Sequence, residues 1–143
     1  MDAKTAVSGW IAGWSQGWRD HDPTPIAALY ADDALFVSEP FREPKHGGAG
    51  AAEYAAWAFA DEEDVEFWFA EPLVSADGAA VRYWAVIRDR SGKDATLAGI
   101  SYLRFDTEGL VVEQRDHWNM SADDTAREPP ADWGPVAAHE RRG

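Results

Sequence analysis

Gly109-Leu110-Val111-Val112-Glu113-Gln114-Arg115-Asp116-His117-Trp118 follows a turn and then alternates like a strand. The four residues Asp106-Thr107-Glu108-Gly109 have hairpin composition. A period of two then places Val112, Gln114, Asp116 and Trp118 on one face and Val111, Glu113, Arg115 and His117 on the other. The second face is the more charged and suits solvent. Asp116 is thereby expected beside Val112 and Trp118, where partial desolvation lifts a carboxylate toward the pKa range useful for proton transfer. The competing reading is a structural ion pair with Arg115 or Arg82, since ion-pair networks also perturb such groups.

The same period governs the preceding 50 residues. Val65-Glu66-Phe67-Trp68-Phe69, Val81 to Val86 and Thr96 to Phe105 are three further strands, joined through Ala76-Asp77-Gly78 and Arg90-Ser91-Gly92-Lys93. Upstream the period lengthens. Val7, Trp10, Ile11, Trp14 and Trp18 recur at three- and four-residue steps and predict one helix over 5–19, stopped by Asp20-His21-Asp22-Pro23. Thr24-Pro25 begins a short second helix through Tyr30, Ala34-Leu35-Phe36-Val37 is a short strand, and 51–60 is a third, alanine-rich helix. The intervening Pro40 to Gly50 reads as a loop, and Asp61 to Glu66, five acids in six positions, as a solvated turn and strand start. Helices followed by a meander is an α+β layout. The expected organisation is one domain over 1–120 and an irregular tail over 121–143, with Trp133 docked.

Composition narrows the function. With 143 residues, 26 acidic against 13 basic side chains and a net charge of −13, phosphate-driven binding to nucleic acid or to an anionic membrane is disfavoured. The absence of cysteine excludes disulfides and thiolate chemistry. No apolar run approaches a membrane span, and the N-terminus lacks the pattern of a signal peptide, so the expected location is the cytoplasm. The four histidines are far apart and no metal is expected. Gly47-Gly48-Ala49-Gly50 lacks the rest of a phosphate loop, and no serine sits in a nucleophile elbow. Carboxylate acid–base chemistry remains, with Asp116 and Glu39 as candidates. Glu39 closes a strand and precedes Pro40, at a rim; an ordinary exposed acid is the alternative. Trp10, Trp14 and Trp18 are a core stripe or a pocket wall.

Two segments carry a family resemblance. Leu29-Tyr30-Ala31-Asp32-Asp33-Ala34-Leu35-Phe36-Val37-Ser38-Glu39-Pro40 resembles the first strand region of the nuclear transport factor 2-like superfamily. Leu103-Arg104-Phe105-Asp106 with Gly109 to Trp118 resembles its final hairpin. The superfamily includes ketosteroid isomerases, SnoaL-type polyketide cyclases, scytalone dehydratase and limonene epoxide hydrolase. The resemblance spans about residues 5–120 and implies a cone: a curved antiparallel sheet wrapped around the N-terminal helices, enclosing an apolar pocket, with dimerisation through the outer face. Large apolar residues on both strand parities (Phe67 and Trp68, Tyr83 and Trp84) also point to a covered outer face.

The resemblance implies roles residue by residue. Glu39 stands where isomerases carry their proton-shuttling Asp, whereas Trp14 and Ser101 replace the Tyr and protonated Asp of their oxyanion hole. Asp116, seven residues after the hairpin Gly109, matches the catalytic Asp of the cyclases and the epoxide hydrolase. Arg82 could be the hydrolase's Arg, but Trp84 replaces the Asp of that pair. The expected protein is therefore a homodimeric, cofactor-independent acid–base enzyme. It would isomerise, cyclise or dehydrate a small hydrophobic carbonyl compound, with Asp116 and Glu39 catalytic and Trp14, Tyr83, Ser101, Trp118 and Arg82 around the substrate. The alternatives are a non-catalytic binder of a flat ligand and an epoxide hydrolase-like enzyme with an altered constellation.

Overall fold

A computed structural model describes residues 1–140. Helix α1 (Ala3–Asp20) starts where Asp2 accepts the Thr5 N–H at 2.8 Å, a side-chain N-cap. It ends where His21 takes a left-handed conformation (φ 51) and Asp22 N–H reaches the Gly17 carbonyl at 2.9 Å. That pattern closes the last turn without a glycine. Helix α2 (Thr24–Ala27) is one turn, and β1 (Tyr30–Val37) follows. β2 (Lys45–His46) leads into α3 (Gly47–Phe59), then β3 (Glu62–Ala70), β4 (Leu73–Val74), β5 (Gly78–Asp89), β6 (Asp94–Phe105) and β7 (Val111–Met120). β8 (Pro135–His139) comes last.

The strands form one curved, unclosed sheet in the order β2-β1-β7-β6-β5-β3-β8, with β4 on β5. The α+β class is as expected, but the sheet is mixed. β1 runs parallel to β7, with Phe36 opposite Gln114. A parallel pair needs a long crossover, and everything from β2 to β6 supplies it. The other pairings are antiparallel.

The turn before β7 sets the register that matters. Asp106 Oδ1 accepts the N–H groups of Glu108 and Leu110 at 2.9 and 3.0 Å, and Gly109 takes φ 85, which only glycine adopts cheaply. A register shift follows: Phe105 pairs with Val111 and Arg104 with Glu113. Val111, not Val112, is therefore the buried residue, because a bulge adds one residue to one strand and inverts the parity before it. Beyond the bulge the expected alternation holds, and Asp116 lies opposite Ser101.

The inner face of the sheet wraps α1, whose Val7, Trp10, Ile11 and Trp14 are buried against β-strand residues including Phe36, Phe67 and Phe69. Each indole removes roughly 200 Å² from water, on the order of 5 kcal/mol before ordering entropy, so the tryptophan row commits the helix to the sheet. Helix α3 packs Ala51, Ala55 and Phe59 inward, and Tyr54 meets Phe36 at 5.0 Å.

The tail is not irregular throughout. β8 pairs with β3, placing Ala138 opposite Trp68. Trp133 closes a second cluster with Trp68, Ala70 and Val86, and Trp84 packs against it. Arg127 carbonyl accepts Trp84 Nε1 at 2.8 Å, and the Thr125 carbonyl accepts Thr96 Oγ1 at 2.7 Å. The chain thus covers part of its own outer face, around Trp68 and Trp84, and leaves Ile100 and Tyr102 exposed. Positions 141–143 lie outside the described residues. Among the described residues, no helix is long and apolar enough to cross a membrane.

Candidate active site

Between α1, α3 and the concave face of the sheet lies a cavity of about 550 Å³, a volume suited to a drug-sized molecule. Trp10, Trp14 and Trp18 form one wall, Tyr83, Phe69, Ile87 and Leu97 from the strands another, and Tyr54, Trp57 and Arg42 contribute from the α3 side and the preceding loop. Ser101, Gln114, Asp116 and Trp118 bring polar groups to the lining from β6 and β7.

Asp116 is 8% exposed. Its Oδ1 accepts Ser101 Oγ–H at 2.7 Å and Gln114 Nε2–H at 3.0 Å, while Oδ2 has only a long 3.3 Å contact to the same amide. Among the described residues no arginine is hydrogen-bonded or ion-paired to it. Arg115 turns outward to Glu113 at 2.6 Å, which removes the ion-pair reading. Burial pushes the Asp116 carboxyl up to about 7, with the Ser101 and Gln114 hydrogen bonds opposing the rise.

Gln114 is held by a network that sequence reasoning missed. Its Oε1 accepts Trp10 Nε1–H at 3.0 Å and the Tyr30 hydroxyl, and Tyr30 in turn accepts Trp14 Nε1–H at 3.0 Å. An indole nitrogen only donates, so the oxygen of Gln114 must face Trp10 and its amide hydrogens must face Asp116. Gln114 and Tyr30 are neutral, and nothing in their sequence spacing marks a site. Gln114 shares the strand face of Asp116, and that parity was the available signal.

Tyr83 reaches the cavity because Gly99 has no side chain. A Cβ at Gly99 would lie 2.7 Å from the Tyr83 hydroxyl and 2.6 Å from Trp118 Cβ. Burial, with the Asp116 charge adding to it, raises the Tyr83 pKa far above that of an ordinary phenol, so its proton is retained. Tyr54 is raised for the same first reason. Among the described residues neither phenol has a hydrogen-bond partner. Trp118 is half-buried and donates Nε1–H to the Ser38 carbonyl at 2.6 Å, tying β7 to the end of β1.

Asp116, Ser101, Trp14, Tyr83 and Trp118 thus share one cavity. Two of the expected residues do not join them. Glu39 is half-exposed and paired with Arg42 at 3.1 Å; Arg42, rather than Glu39, lines the cavity. The bend after Ser38 turns the carboxylate outward and brings Arg42 back in its place. Arg82 is exposed on the outer face, its guanidinium 4.6 Å over the Trp133 ring. Its even-numbered position on β5 opposes the inward Val81, Tyr83 and Ala85.

A third residue was misread. Glu62, expected in a solvated turn, is buried and lines the cavity, accepting from Trp18 Nε1 and lying beside His21. Among the described residues no group of three or more His, Asp or Glu side chains is arranged to hold a metal ion. The arrangement around Asp116 can take a proton from, or return one to, a group seated against apolar walls.

Comparison with known proteins agrees with this architecture. Similar solved structures include RV0760c from Mycobacterium tuberculosis, in complex with estradiol-17β-hemisuccinate, 20% identical over 85% of this chain and 99% of that one, with a TM-score of 0.66. TerC, co-crystallised with polyporic acid, is 19% identical over 80% and 91%, with a TM-score of 0.67. An M. tuberculosis LEH-like epoxide hydrolase is 12% identical over 80% of each chain, with a TM-score of 0.63. No curated protein sequence matches the chain. A family model for the SnoaL-like domain matches residues 11–114, and with most of the chain covered, this protein belongs to the SnoaL-like domain family.

Proposed function

We propose that the protein is a cofactor-independent acid–base enzyme acting on a hydrophobic carbonyl compound. The observation that carries this is Asp116: a carboxyl near pKa 7, buried in the cavity lining, with one oxygen held by two donors and the other turned to no strong partner. In its ionised form Oδ2 would remove a proton from a carbon next to the substrate carbonyl, and the electron pair would move onto the carbonyl oxygen. Tyr83, protonated and without an acceptor among the described residues, is the group that would donate to that oxygen. Asp116 would then return the proton at a different carbon for isomerisation. In cyclisation the enolate would attack a second carbonyl and Asp116 would give its proton to the alkoxide so formed. In dehydration the enolate would collapse with cleavage of the β C–O bond, the hydroxyl leaving as water with the proton from Asp116.

Glu39 contributes in this reading only through Arg42 at the mouth. A homodimer belongs to the same proposal, formed over the part of the outer face that the tail leaves open, where Ile100 and Tyr102 are 43% and 46% exposed. Sedimentation as a monomer at micromolar concentration would remove it.

The test is turnover of a panel of ketones, enones and β-hydroxyketones by the wild type and by Asp116→Asn. The substitution is expected to lower kcat/KM by about 10²-fold or more. The wild-type rate should rise with pH through about 7, as the base form of Asp116 fills. Tight binding without turnover across the panel would instead favour a ligand-binding protein, and unchanged turnover in Asp116→Asn would end the role assigned to it.

A further inference from the structure

The proposed chemistry uses one carboxylate of the cavity and leaves another idle. Glu62, 5% exposed, opens β3 and lines the same cavity as Asp116. Trp18 Nε1–H is shared between its two oxygens at 3.0 and 3.1 Å, and His21 Nε2 lies 3.0 Å from Oε2. A carboxylate has about four acceptor positions, so capacity remains, chiefly on Oε1, which meets only the shared indole proton. His21 is brought there by the left-handed C-cap of α1 and lies against the Phe59 ring at 5.2 Å. That left-handed conformation is disfavoured for a residue with a Cβ. Burial raises the Glu62 pKa, against the pull of Trp18 and His21.

Helix α1 spaces the two tryptophans that lead to these carboxylates. Trp10 bonds Gln114, which holds Asp116, and Trp18 bonds Glu62. Eight residues separate these tryptophans, or about 12 Å at 1.5 Å per residue, and Trp14 lies between them on the same wall. The cavity is therefore a slot with aromatic sides and a carboxylate toward each end. Besides Glu62 and Asp116, the charged groups that line the cavity are Asp61, Asp89, Asp94, Asp124, Arg42 and Lys93, and Asp89 is the cross-strand partner of Glu62. Acids outnumber the two cations, of which Arg42 is held by Glu39, so the Glu62 end suits a donor or a cation rather than an anion. A merely structural role explains Glu62 poorly, because a buried carboxylate is commonly no more stabilising than an apolar side chain of its size.

We infer that Glu62, held by Trp18 and His21, is a second recognition point that accepts a hydrogen bond from a hydroxyl or protonated amine at the end of the ligand remote from Asp116. The inference rests on reading the cavity as a small-molecule site and specifies the class: a flat, elongated aromatic molecule with a polar group at each end. It requires no catalysis by Asp116.

Calorimetric titration of 4,4′-dihydroxybiphenyl and 4-hydroxybiphenyl tests it, using the wild type, Glu62→Met and Glu62→Gln. Hydrogen bonds to charged groups contribute enough that the wild type should bind the diol about tenfold or more tighter than the mono-ol. Glu62→Met should bind both with the mono-ol's affinity, and Glu62→Gln, which keeps the shape without the charge, should show a reduced advantage. If Glu62→Met does not fold, the Glu62→Gln result decides. Equal wild-type affinity for the two probes, or an undiminished preference in the variants, overturns the inference while leaving Asp116 chemistry untouched. Failure of the wild type to bind either probe overturns it together with the reading of the cavity. Loss of the expected turnover alone affects neither.

Discussion

Asp116→Asn should stabilise the protein at alkaline pH and leave its stability nearly unchanged in acid. Below 3.8, the ordinary carboxyl value, the proton is bound in both the folded and the unfolded chain. Between 3.8 and about 7 the unfolded chain has released it while the folded chain holds it, so each increment of pH favours unfolding. Above about 7 both forms are ionised and the full loss is present. Roughly three pH units at ~1.4 kcal/mol each set an upper bound of about 4 kcal/mol. Asparagine never ionises, and its Oδ1 can still accept from Ser101 and Gln114, so it escapes this loss. For a chain of 143 residues, with ~3 °C per kcal/mol, the variant's Tm should exceed the wild type's by as much as about 10 °C at pH 8.5. The two should converge at pH 4. Thermal melts of both proteins in matched buffers across that range check this. A Tm difference that does not grow with pH, or a wild type that is the more stable at pH 8.5, would mean that Asp116 ionises in the fold as it does in water.

Tyr83→Phe removes the proposed donor to the carbonyl oxygen and should reduce kcat by about 10²-fold or more; steady-state kinetics on an accepted ketone reads the loss. Gly99→Ala forces a Cβ against the Tyr83 hydroxyl and Trp118, and overpacking of this kind should lower stability by about 1–3 kcal/mol in urea denaturation. Trp133→Ala opens the second cluster over Trp68 and Val86 and should destabilise by about 3 kcal/mol. Trp84 fluorescence would then report its new exposure.

Much of the inner face was legible because hydrophobic period and side-chain direction are local properties. The spacing of Trp10, Trp14 and Trp18 and the alternation around Tyr83, Ser101, Asp116 and Trp118 follow from helix and strand geometry alone. Pairing partners are not local, which is why the parallel β1–β7 contact was unreadable. The Val111–Val112 bulge was hidden for another reason: one extra residue reverses parity without changing composition. Arg82 was placed by analogy with an epoxide hydrolase, although its strand parity, opposite to Tyr83, already pointed outward. Glu39 was placed by its position before Pro40, and neither sequence nor analogy showed that Arg42 would fold back to pair with it. Glu62 was lost among five acids in six positions, and alternation from the inward Val65, Phe67 and Phe69 would turn it outward; the register shift between Glu62 and Asp64 reverses that parity and brings it in. β8 lies in a stretch rich in proline and alanine, where pairing with the edge of β3 outweighs weak strand propensity.

Of the five tryptophans that line the cavity, the exposed Trp57 aside, Trp10, Trp14, Trp18 and Trp118 each have their indole N–H engaged, by Gln114, Tyr30, Glu62 and the Ser38 carbonyl. Rotating any of them forfeits a hydrogen bond worth about 1 kcal/mol net, and more where the abandoned acceptor is buried. The walls are therefore rigid before a ligand arrives, and the ordering entropy of these side chains, about 0.5–1.5 kcal/mol each at a binding surface, is already spent in folding. A rigid slot does not adapt. If the proposed reading of the cavity holds, binding should discriminate by thickness, with planar rings favoured over puckered or bulky ones of equal hydrophobicity. Its ligand-free and ligand-bound forms should superpose at all four indoles.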